Sequence, residues 1–271
     1  MSAYIANARM YSVTPAAEEA WKALLGHIFA EARVSFDYVP YPAPQPLEVL
    51  WERPDLGCVF MCGYPIAMKL ADVVPIAAPI PAAPWAGGRA LYRSDLIVRA
   101  DSRFQTLEDT FGGRVGWTVE HSHSGFNALR HHLLAYRTPE RPTLYREVVG
   151  HLVTARGILD AVLAGTIDVG PLDGYWHDLI DHHRPELTRD IRVVASTTLA
   201  PLPAFVAVPG LPANQVARMK IAFANAEDRP WFAPLAKVLR LSGFATVEPE
   251  DFTPTLERDR AARTQGYATI A

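Results

Sequence analysis

Apolar and polar positions follow two different periods along the chain, and the changes of period predict strands and helices in turn. Residues 3–13 and 34–39 are predicted strands, and residues 15–32 between them carry apolar side chains at helical spacing. Thr14 followed by proline, with Glu18 in the first turn, is typical of a helix start. A strand, a helix and a strand in this order predict a parallel pair joined by a right-handed crossover.

A similar layout recurs in residues 114–180, so the chain is predicted to contain two α/β lobes. The predicted elements there are a short strand that begins at residue 114, helix 125–136, strand 145–149, helix 154–164 with Gly165 as its C-terminal cap, the segment 167–173 and a helix over 174–182. Elsewhere we predict helix 47–51 opened by Pro46, buried strand 55–62, a proline-rich loop with extended pieces over 75–88, strand 90–99, strands 191–195 and 203–208, helices 211–226 and 231–241, and a helical tail 251–271.

The second lobe closes in sequence before the last helices begin, so these helices must pack on the first lobe. The first lobe is therefore discontinuous. The predicted boundaries are residues 1–94 and 203–271 for the first lobe and residues 95–202 for the second. Strands near 92–98 and 202–208 are the two predicted crossings between them.

Composition narrows the classes of partner. The chain has 271 residues, 49% of them hydrophobic, which suffices for one large core or two modest ones. A net charge of −3 without any Lys/Arg cluster argues against nucleic-acid binding. No apolar run approaches the roughly 18 residues that span a bilayer, so no membrane insertion is expected. Residues 1–9 lack the pattern of a secretory signal, so either the chain stays in the cytoplasm or a leader has been removed.

Residues 114–130 carry the strongest candidate chemistry. A short apolar strand leads into a turn of small hydroxyl and imidazole residues and then into a helix. The first N–H groups of a helix lack intrahelical partners, and the helix dipole adds positive charge there, so an anion fits. Ser122 and Ser124 add hydroxyl donors, and Gly125 keeps side-chain atoms away from the amides. The alternative is that Ser124 only caps the helix.

Other clusters predict less chemistry. Cys58 and Cys62 would lie about 13 Å apart in a strand, too far for a disulfide, so buried free thiols are expected. His121 and His123 would lie roughly 15 Å along a helix from the pair His131–His132, so one metal site could not collect all four. Cys62 has no histidine and acid in a triad layout. We predict no metal, no cofactor and no catalytic residue.

Several segments, in order, resemble the phosphate, phosphite and phosphonate substrate-binding proteins of ABC transporters. They are Cys-Gly-Tyr-Pro at 62–65, residues 90–102, residues 107–114, Ser-His-Ser-Gly at 122–125 and Gly-Thr-Ile-Asp-Val-Gly-Pro-Leu-Asp at 165–173. The resemblance runs from about residue 62 to 208. It implies an α/β, two-lobe type II periplasmic-binding-protein-like fold, in which each lobe is a mostly parallel sheet flanked by helices and two crossing strands join the lobes.

The resemblance also implies a site. Ser122, Ser124 and the amides near Gly125 would hold phosphoryl oxygens, and Tyr64 would close from the other lobe. His123 stands where threonine is common. An inward His123 would donate to the oxyanion and make affinity depend on pH near neutrality, whereas an outward one would face solvent. The further candidates in the binding site are Tyr11, Tyr92 and Asp173.

At two places the sequence differs from the family pattern in ways that concern the ligand. Relatives carry a Ser-His pair at the helix start before the Gly-x-x-Asp turn, where this chain has Thr154-Ala155, and His151 and Arg156 are the two candidates to replace the histidine. Relatives that bind aminoalkylphosphonates carry an acid on the return crossing, where this chain reads Ala-Pro-Leu-Pro-Ala at 200–204. An amine-bearing ligand is therefore disfavoured, although Asp173 remains available to face it.

The functional expectation is a periplasmic, non-catalytic protein that closes two lobes on a small anionic ligand and delivers it to an ABC permease. The alternative is a cytoplasmic enzyme or ligand sensor on the same fold, acting on a small organic or aromatic molecule. The absence of a leader in the sequence and the altered histidine favour this alternative.

Overall fold

The computed structural model describes residues 4–271, and helices and strands alternate along most of this range. The strands are β1 Tyr4–Asn7, β2 Phe36–Tyr38, β3 Leu56–Met61, β4 Val74–Pro81, β5 Leu91–Tyr92, β6 Ser94–Arg99, β7 Arg114–Gly116, β8 Glu147–Val149, β9 Gly170–Asp173, β10 Ile191–Ser196, β11 Ala200–Pro201, β12 Ala204–Ala207 and β13 Leu241–Thr246. The α-helices are α1 Pro15–Ala32, α2 Leu47–Trp51, α3 Gly63–Ala67, α4 Ala128–Leu133, α5 Ala155–Leu163, α6 Gly174–His183, α7 Pro185–Thr188, α8 Ala213–Ala224, α9 Phe232–Leu239 and α10 Thr253–Thr264.

The chain divides into two compact units. Unit 1 contains the described residues up to Tyr92 and Pro201–Thr253, and unit 2 contains Arg93–Ala200 and Pro254–Ala271. Our boundaries placed the whole C-terminal tail in the first lobe, whereas residues 254–271 pack within unit 2. The reason is apolar burial, because Tyr267 and Ile270 lie in the hydrophobic core of that unit. The chain therefore passes between the units three times rather than twice.

Unit 1 contains a six-stranded sheet in the order β13-β4-β12-β3-β1-β2. Strand β1 pairs in parallel with both β2 and β3, so the predicted strand-helix-strand opening is confirmed. Helix α1 begins as its sequence predicts, since the Thr14 hydroxyl accepts a hydrogen bond from the Ala17 amide and proline is the first helical residue. The first strand is shorter than predicted, because it ends at Asn7 and a 3₁₀ turn covers Arg9–Tyr11.

The proline-rich segment was predicted as a loop with extended pieces, but its first part is a regular strand, β4. Strand β4 lies inside the sheet, antiparallel to β12 on one side and to β13 on the other. Its three prolines occupy odd positions, 75, 79 and 81. Successive backbone N–H groups point to opposite sides of a regular strand, so the missing donors of Pro79 and Pro81 fall on the same side. Ile80 between them keeps its N–H group for the other side, and Pro75 lies at an irregularity in the pairing of β4 with β12.

Unit 2 contains a three-stranded antiparallel sheet in the order β10-β6-β9 and a separate parallel pair, β7 with β8. Three of the five strand pairings in the six-stranded sheet of unit 1 are also antiparallel. The prediction of mostly parallel sheets is therefore corrected to mixed pairing. In unit 1 the difference arises because β12, the return strand, and the edge strand β13 run against their neighbours. The α/β class stands.

The helix predicted at 125–136 begins two residues earlier and is composite. It starts as a π-helix over His123–Asn127, continues as α4 and ends in a 3₁₀ turn over Leu134–Tyr136. No helix in residues 4–271 is long and apolar enough to cross a membrane. Both cysteines are buried free thiols, as expected, and burial raises the pKa of Cys58 well above its ordinary value.

Candidate functional site

The turn at residues 122–125 opens the composite helix, and Ser122 is its cap. Ser122 Oγ accepts a hydrogen bond from the Gly125 amide at 3.0 Å, and its carbonyl oxygen accepts from the Asn127 amide at 3.0 Å. The latter bond spans five residues, as in a π-helix, which widens the first turn. The capping role considered for Ser124 therefore belongs to Ser122, and Ser124 is the second residue of the helix.

Ser124 is fixed through two of its atoms. Its hydroxyl donates to Asp173 Oδ2 at 3.2 Å, and its carbonyl oxygen accepts from the Ser94 hydroxyl at 2.8 Å. Asp173 Oδ1 accepts from the amides of Tyr175 and Trp176, both at 3.0 Å, and so caps helix α6. Ser94 and Asp173 are direct partners in the β6–β9 pairing. Ser94 was not among the predicted site residues, since only strand pairing brings it to the turn.

Gly125 is required by close packing rather than by an unusual backbone conformation. A Cβ atom added there would stand 1.9 Å from Thr118 Oγ1 and 2.9 Å from Thr118 Cβ. Thr118 is 5% exposed, and its hydroxyl has no hydrogen-bond partner in the described structure. A buried hydroxyl without a partner is costly, so this atom is a candidate donor to a bound molecule. Sequence reasoning missed it because it precedes the motif.

His123 points inward and is 1% exposed, so the solvent-facing alternative is wrong. The Asn127 side-chain amide lies 3.2 Å from its Nδ1, and Arg258 Nη1 lies 3.1 Å from its Nε2. Both neighbours are donors, whereas a doubly protonated imidazole can accept from neither. Burial, then the charges of Arg258 and His131, hold the pKa of His123 well below its ordinary value. His123 therefore stays neutral near pH 7.

This environment predicts that the protein loses stability in mild acid. The unfolded chain binds a proton on His123 below about pH 6.5, and the folded chain does not. This contribution to the free energy of unfolding is complete above that pH and is lost as pH falls, by up to about 1.4 kcal/mol per pH unit. Burial likewise lowers the pKa values of His131 and His132.

Urea unfolding at about pH 7.5 and pH 5.5 measures this loss. We expect His123→Gln, which keeps a neutral polar side chain, to lose less stability than the wild type over this interval. An identical loss in both proteins would show that His123 does not couple folding to proton binding.

A second helix start lies beside the turn. The amide of Leu152 donates to Trp117 O at 3.2 Å, and that of Val153 donates to Thr118 O at 3.3 Å, which places the segment before α5 against the end of β7. Thr154 Oγ1 accepts from the Gly157 amide at 3.0 Å and caps α5. Two capped helix starts therefore lie next to each other within unit 2.

The two candidates for the altered histidine position flank this helix start. His151 is exposed, has a φ of 59° and packs its ring 4.8 Å from that of Trp117. Arg156 is about half exposed and pairs with Asp160 at 2.8 Å, one helical turn along α5. In the described part of the chain no hydrogen bond or ion pair joins either residue to the Ser122–Gly125 turn. Asp160 thus holds Arg156 on the helix surface.

The three tyrosine candidates belong to unit 1. Tyr64 is buried in α3, at the carboxyl end of β3, where ligands bind in open α/β sheets. Tyr92 is buried, and its hydroxyl lies 3.5 Å from Cys62 Sγ. Tyr11 is fully buried, with its ring edge-on to Phe60 at 5.2 Å. The other candidates belong to unit 2, namely Ser122, His123, Ser124, Gly125, His151, Arg156 and Asp173.

Charged side chains near the turn form ion pairs with one another. Arg130 is buried behind it and forms an ion pair with Asp259 of α10. Within residues 4–271, no group of three or more His, Cys, Asp or Glu side chains is arranged to hold a metal ion. What the turn offers is a set of hydroxyls and the first amides of a helix, which suits a small oxyanion.

Fold and turn together define a two-unit solute-binding protein. The family model described as the periplasmic substrate-binding protein of phosphonate ABC transporters matches residues 12–252. The chain belongs to this family, which consists of substrate-binding proteins and not of enzymes. The comparison with curated proteins gave no match.

Solved structures show the same fold. A binding-protein component of an ABC phosphonate transporter from Pseudomonas aeruginosa superposes with a TM-score of 0.79 at 16% identity, covering 98% of this chain and 88% of that one. A Prochlorococcus marinus protein in complex with methylphosphonate gives 0.79 at 13% identity, covering 96% and 98%. The periplasmic aliphatic sulphonate-binding protein of Escherichia coli gives 0.58 at 15% identity, covering 98% and 88%. These likenesses confirm the type II periplasmic-binding fold.

Proposed function

We propose that this protein binds a small tetrahedral oxyanion, of the phosphonate, phosphite or phosphate type, at the turn formed by residues 122–125. The observation that carries the proposal is the composition of that turn within a chain of this family. Two serine hydroxyls, the unpartnered hydroxyl of Thr118 and a helix start converge where Gly125 contributes no side chain.

The electrostatics of the turn support this ligand class. Gly125 already donates its amide to Ser122 Oγ and Ser122 donates its own to Val119 O, so the Ser124 amide at the helix start is the one proposed to meet an anion. The helix dipole adds partial positive charge at the same end. His123 is neutral and turned inward, so it adds no net charge to the proposed binding site. Binding would therefore depend on hydrogen bonds from fixed donors, which are strong when the acceptor is charged.

The partner and the compartment are inferred from the family. We propose that the bound anion is delivered to an ABC permease and that the protein acts in the periplasm. Support for both comes from the family's description as a periplasmic component of ABC transporters. The Tyr64 and Tyr92 side chains of unit 1 remain proposed ligand contacts, as do Tyr11, His151 and Arg156.

Removing both serine hydroxyls tests the proposed site. We expect the double variant Ser122→Ala with Ser124→Ala to lose anion binding by a factor of about ten to one hundred, since the charge-assisted hydrogen bond from Ser122 contributes roughly 1.5–3 kcal/mol and the Ser124 contact is lost as well. Isothermal titration with methylphosphonate, phosphite and phosphate measures the affinity. Far-UV circular dichroism checks that the fold is retained.

The matched control is Ser102→Ala in the same unit. The Ser102 hydroxyl donates only to Arg99 O at 2.7 Å, on the surface of unit 2, so its removal should leave anion affinity unchanged. Retained affinity in the double variant would place the anion somewhere other than this turn.

A further inference from the structure

The two serine hydroxyls of the turn have opposite hydrogen-bonding roles. Ser122 Oγ accepts from the Gly125 amide, so its own hydrogen is left to donate to another group. Ser124 Oγ lies 3.2 Å from Asp173 Oδ2, and an ionised carboxylate has no hydrogen to give. The hydrogen between these two atoms therefore belongs to Ser124. Ser122 presents a donor, and Ser124 presents the lone pairs of an acceptor.

The orientation of Ser124 is held by buried neighbours. Asp173 is 9% exposed, and its other oxygen is occupied by the two amides that begin α6. Ser94, 1% exposed, donates to the carbonyl oxygen of Ser124 at 2.8 Å. Turning the Ser124 hydroxyl outward would leave the carboxylate without this donor, which is unfavourable for a buried charge.

Thr118 independently indicates a bound molecule at the same turn. Its hydroxyl is buried and without a partner, and it lies against Gly125, where any added Cβ would collide with it. An oxyanion at the turn would accept this hydrogen and remove the cost of an unsatisfied buried hydroxyl. The turn thus combines donors, Ser122 and Thr118, with one acceptor, Ser124.

We propose that this arrangement selects an oxyanion that still carries a proton, such as the monoanion of a phosphonate, over one that carries none, such as a sulfonate. The inference rests on the proposed function and names the protonation state of its ligand. A P–OH group can donate to Ser124 Oγ. A fully deprotonated oxyanion would instead bring its own lone pairs against that oxygen and its charge towards the Asp173 carboxylate.

Methylphosphonate and methanesulfonate are matched probes, since both place one methyl group on a tetrahedral anion. By isothermal titration at about pH 6 we expect the wild type to bind methylphosphonate at least about tenfold more tightly than methanesulfonate. This preference should shrink at about pH 8.5, where methylphosphonate has lost its second proton. Equal affinity for the two anions would overturn the inference and leave the proposed function standing. Binding of neither, nor of phosphite or phosphate, would overturn both.

The variant Asp173→Asn isolates the cause. Asparagine is also a good helix cap, so its oxygen can keep the amides of α6 while its NH₂ donates to Ser124 Oγ. The Ser124 hydrogen is then released towards the ligand, and we expect the preference for methylphosphonate to fall at least about fivefold, with tighter methanesulfonate binding.

Ser124→Ala provides a second test that does not disturb the cap. It removes the acceptor, so methylphosphonate affinity should fall while methanesulfonate affinity stays close to that of the wild type. An unchanged preference in either folded variant would overturn the assignment of Ser124 as the acceptor.

Discussion

Replacing Arg130 with methionine is expected to lower the free energy of unfolding of unit 2 by about 2–5 kcal/mol, because it removes one partner of a buried carboxylate and leaves two further buried acceptors without their donor. Arg130 is fully buried and forms an ion pair with Asp259. It also donates to Asn127 Oδ1 at 2.9 Å and to Ala268 O at 2.6 Å. Methionine supplies apolar volume and none of these donors, so two acceptors are left unsatisfied. Urea unfolding followed by circular dichroism measures the loss.

Arg263→Met is the matched control, because Arg263 pairs with the same carboxylate from the surface. The Arg263 side chain is 59% exposed, against 1% for that of Arg130. An exposed pair contributes about 0–1 kcal/mol, so the control should unfold close to the wild type. Equal losses in the two variants would contradict the view that burial of Arg130 sets its contribution. The expected difference also tests the docking of the C-terminal tail, since Arg130 binds residues 259 and 268 there.

Gly125→Ala is expected to lower stability by about 1–3 kcal/mol, the range for adding a methyl group to a packed interior. The new Cβ would stand 1.9 Å from Thr118 Oγ1, so either the turn or the strand end must move. Movement of the turn would misdirect its hydroxyls and amides, and hydrogen bonds weaken steeply as the donor–hydrogen–acceptor angle falls. We therefore also expect the affinity for methylphosphonate to fall about tenfold or more. Thermal unfolding and isothermal titration give the two values.

Gly26→Ala is the control for the same chemical change. Gly26 lies in α1, and a Cβ there would meet nothing within 4 Å. Alanine is favoured over glycine in a helix interior by about 0.5–1 kcal/mol, so this variant should be more stable than the wild type and bind anions equally well. A Gly125→Ala protein that melts and binds like the wild type would mean that the turn tolerates a side chain.

Local patterns of the sequence were sufficient for much of the fold. The capped starts of α1 and α5 and the short helix α2 occur where they were predicted, because each depends on residues within one turn of each other. The position of the turn at 122–125 and the type II fold were also predicted, from motifs in order along the chain. Strand β4 was missed because prolines favour loops locally, whereas its place in the sheet is set by distant partners.

Distant residues explain what could not be predicted about the candidate site. Ser94 and Asp173 reach Ser124 across 30 and 49 positions of sequence, through the pairing of β6 with β9. His123 was expected to face either the ligand or solvent, yet Asn127 and Arg258 enclose it. Arg258 lies 135 positions further along, on the tail that was assigned to the other lobe.

The sequence by itself determined where most helices begin, which family the chain resembles and which turn carries the hydroxyls. Tertiary structure alone decided the direction of each hydroxyl hydrogen, the neutrality of His123 and the unit on which the tail packs. The physical reason is the separation along the chain of the residues that interact. A helix cap and a hydrophobic period are completed by near neighbours, whereas the direction of a buried hydrogen bond and the pKa of a buried imidazole depend on groups that only folding brings within about 3 Å.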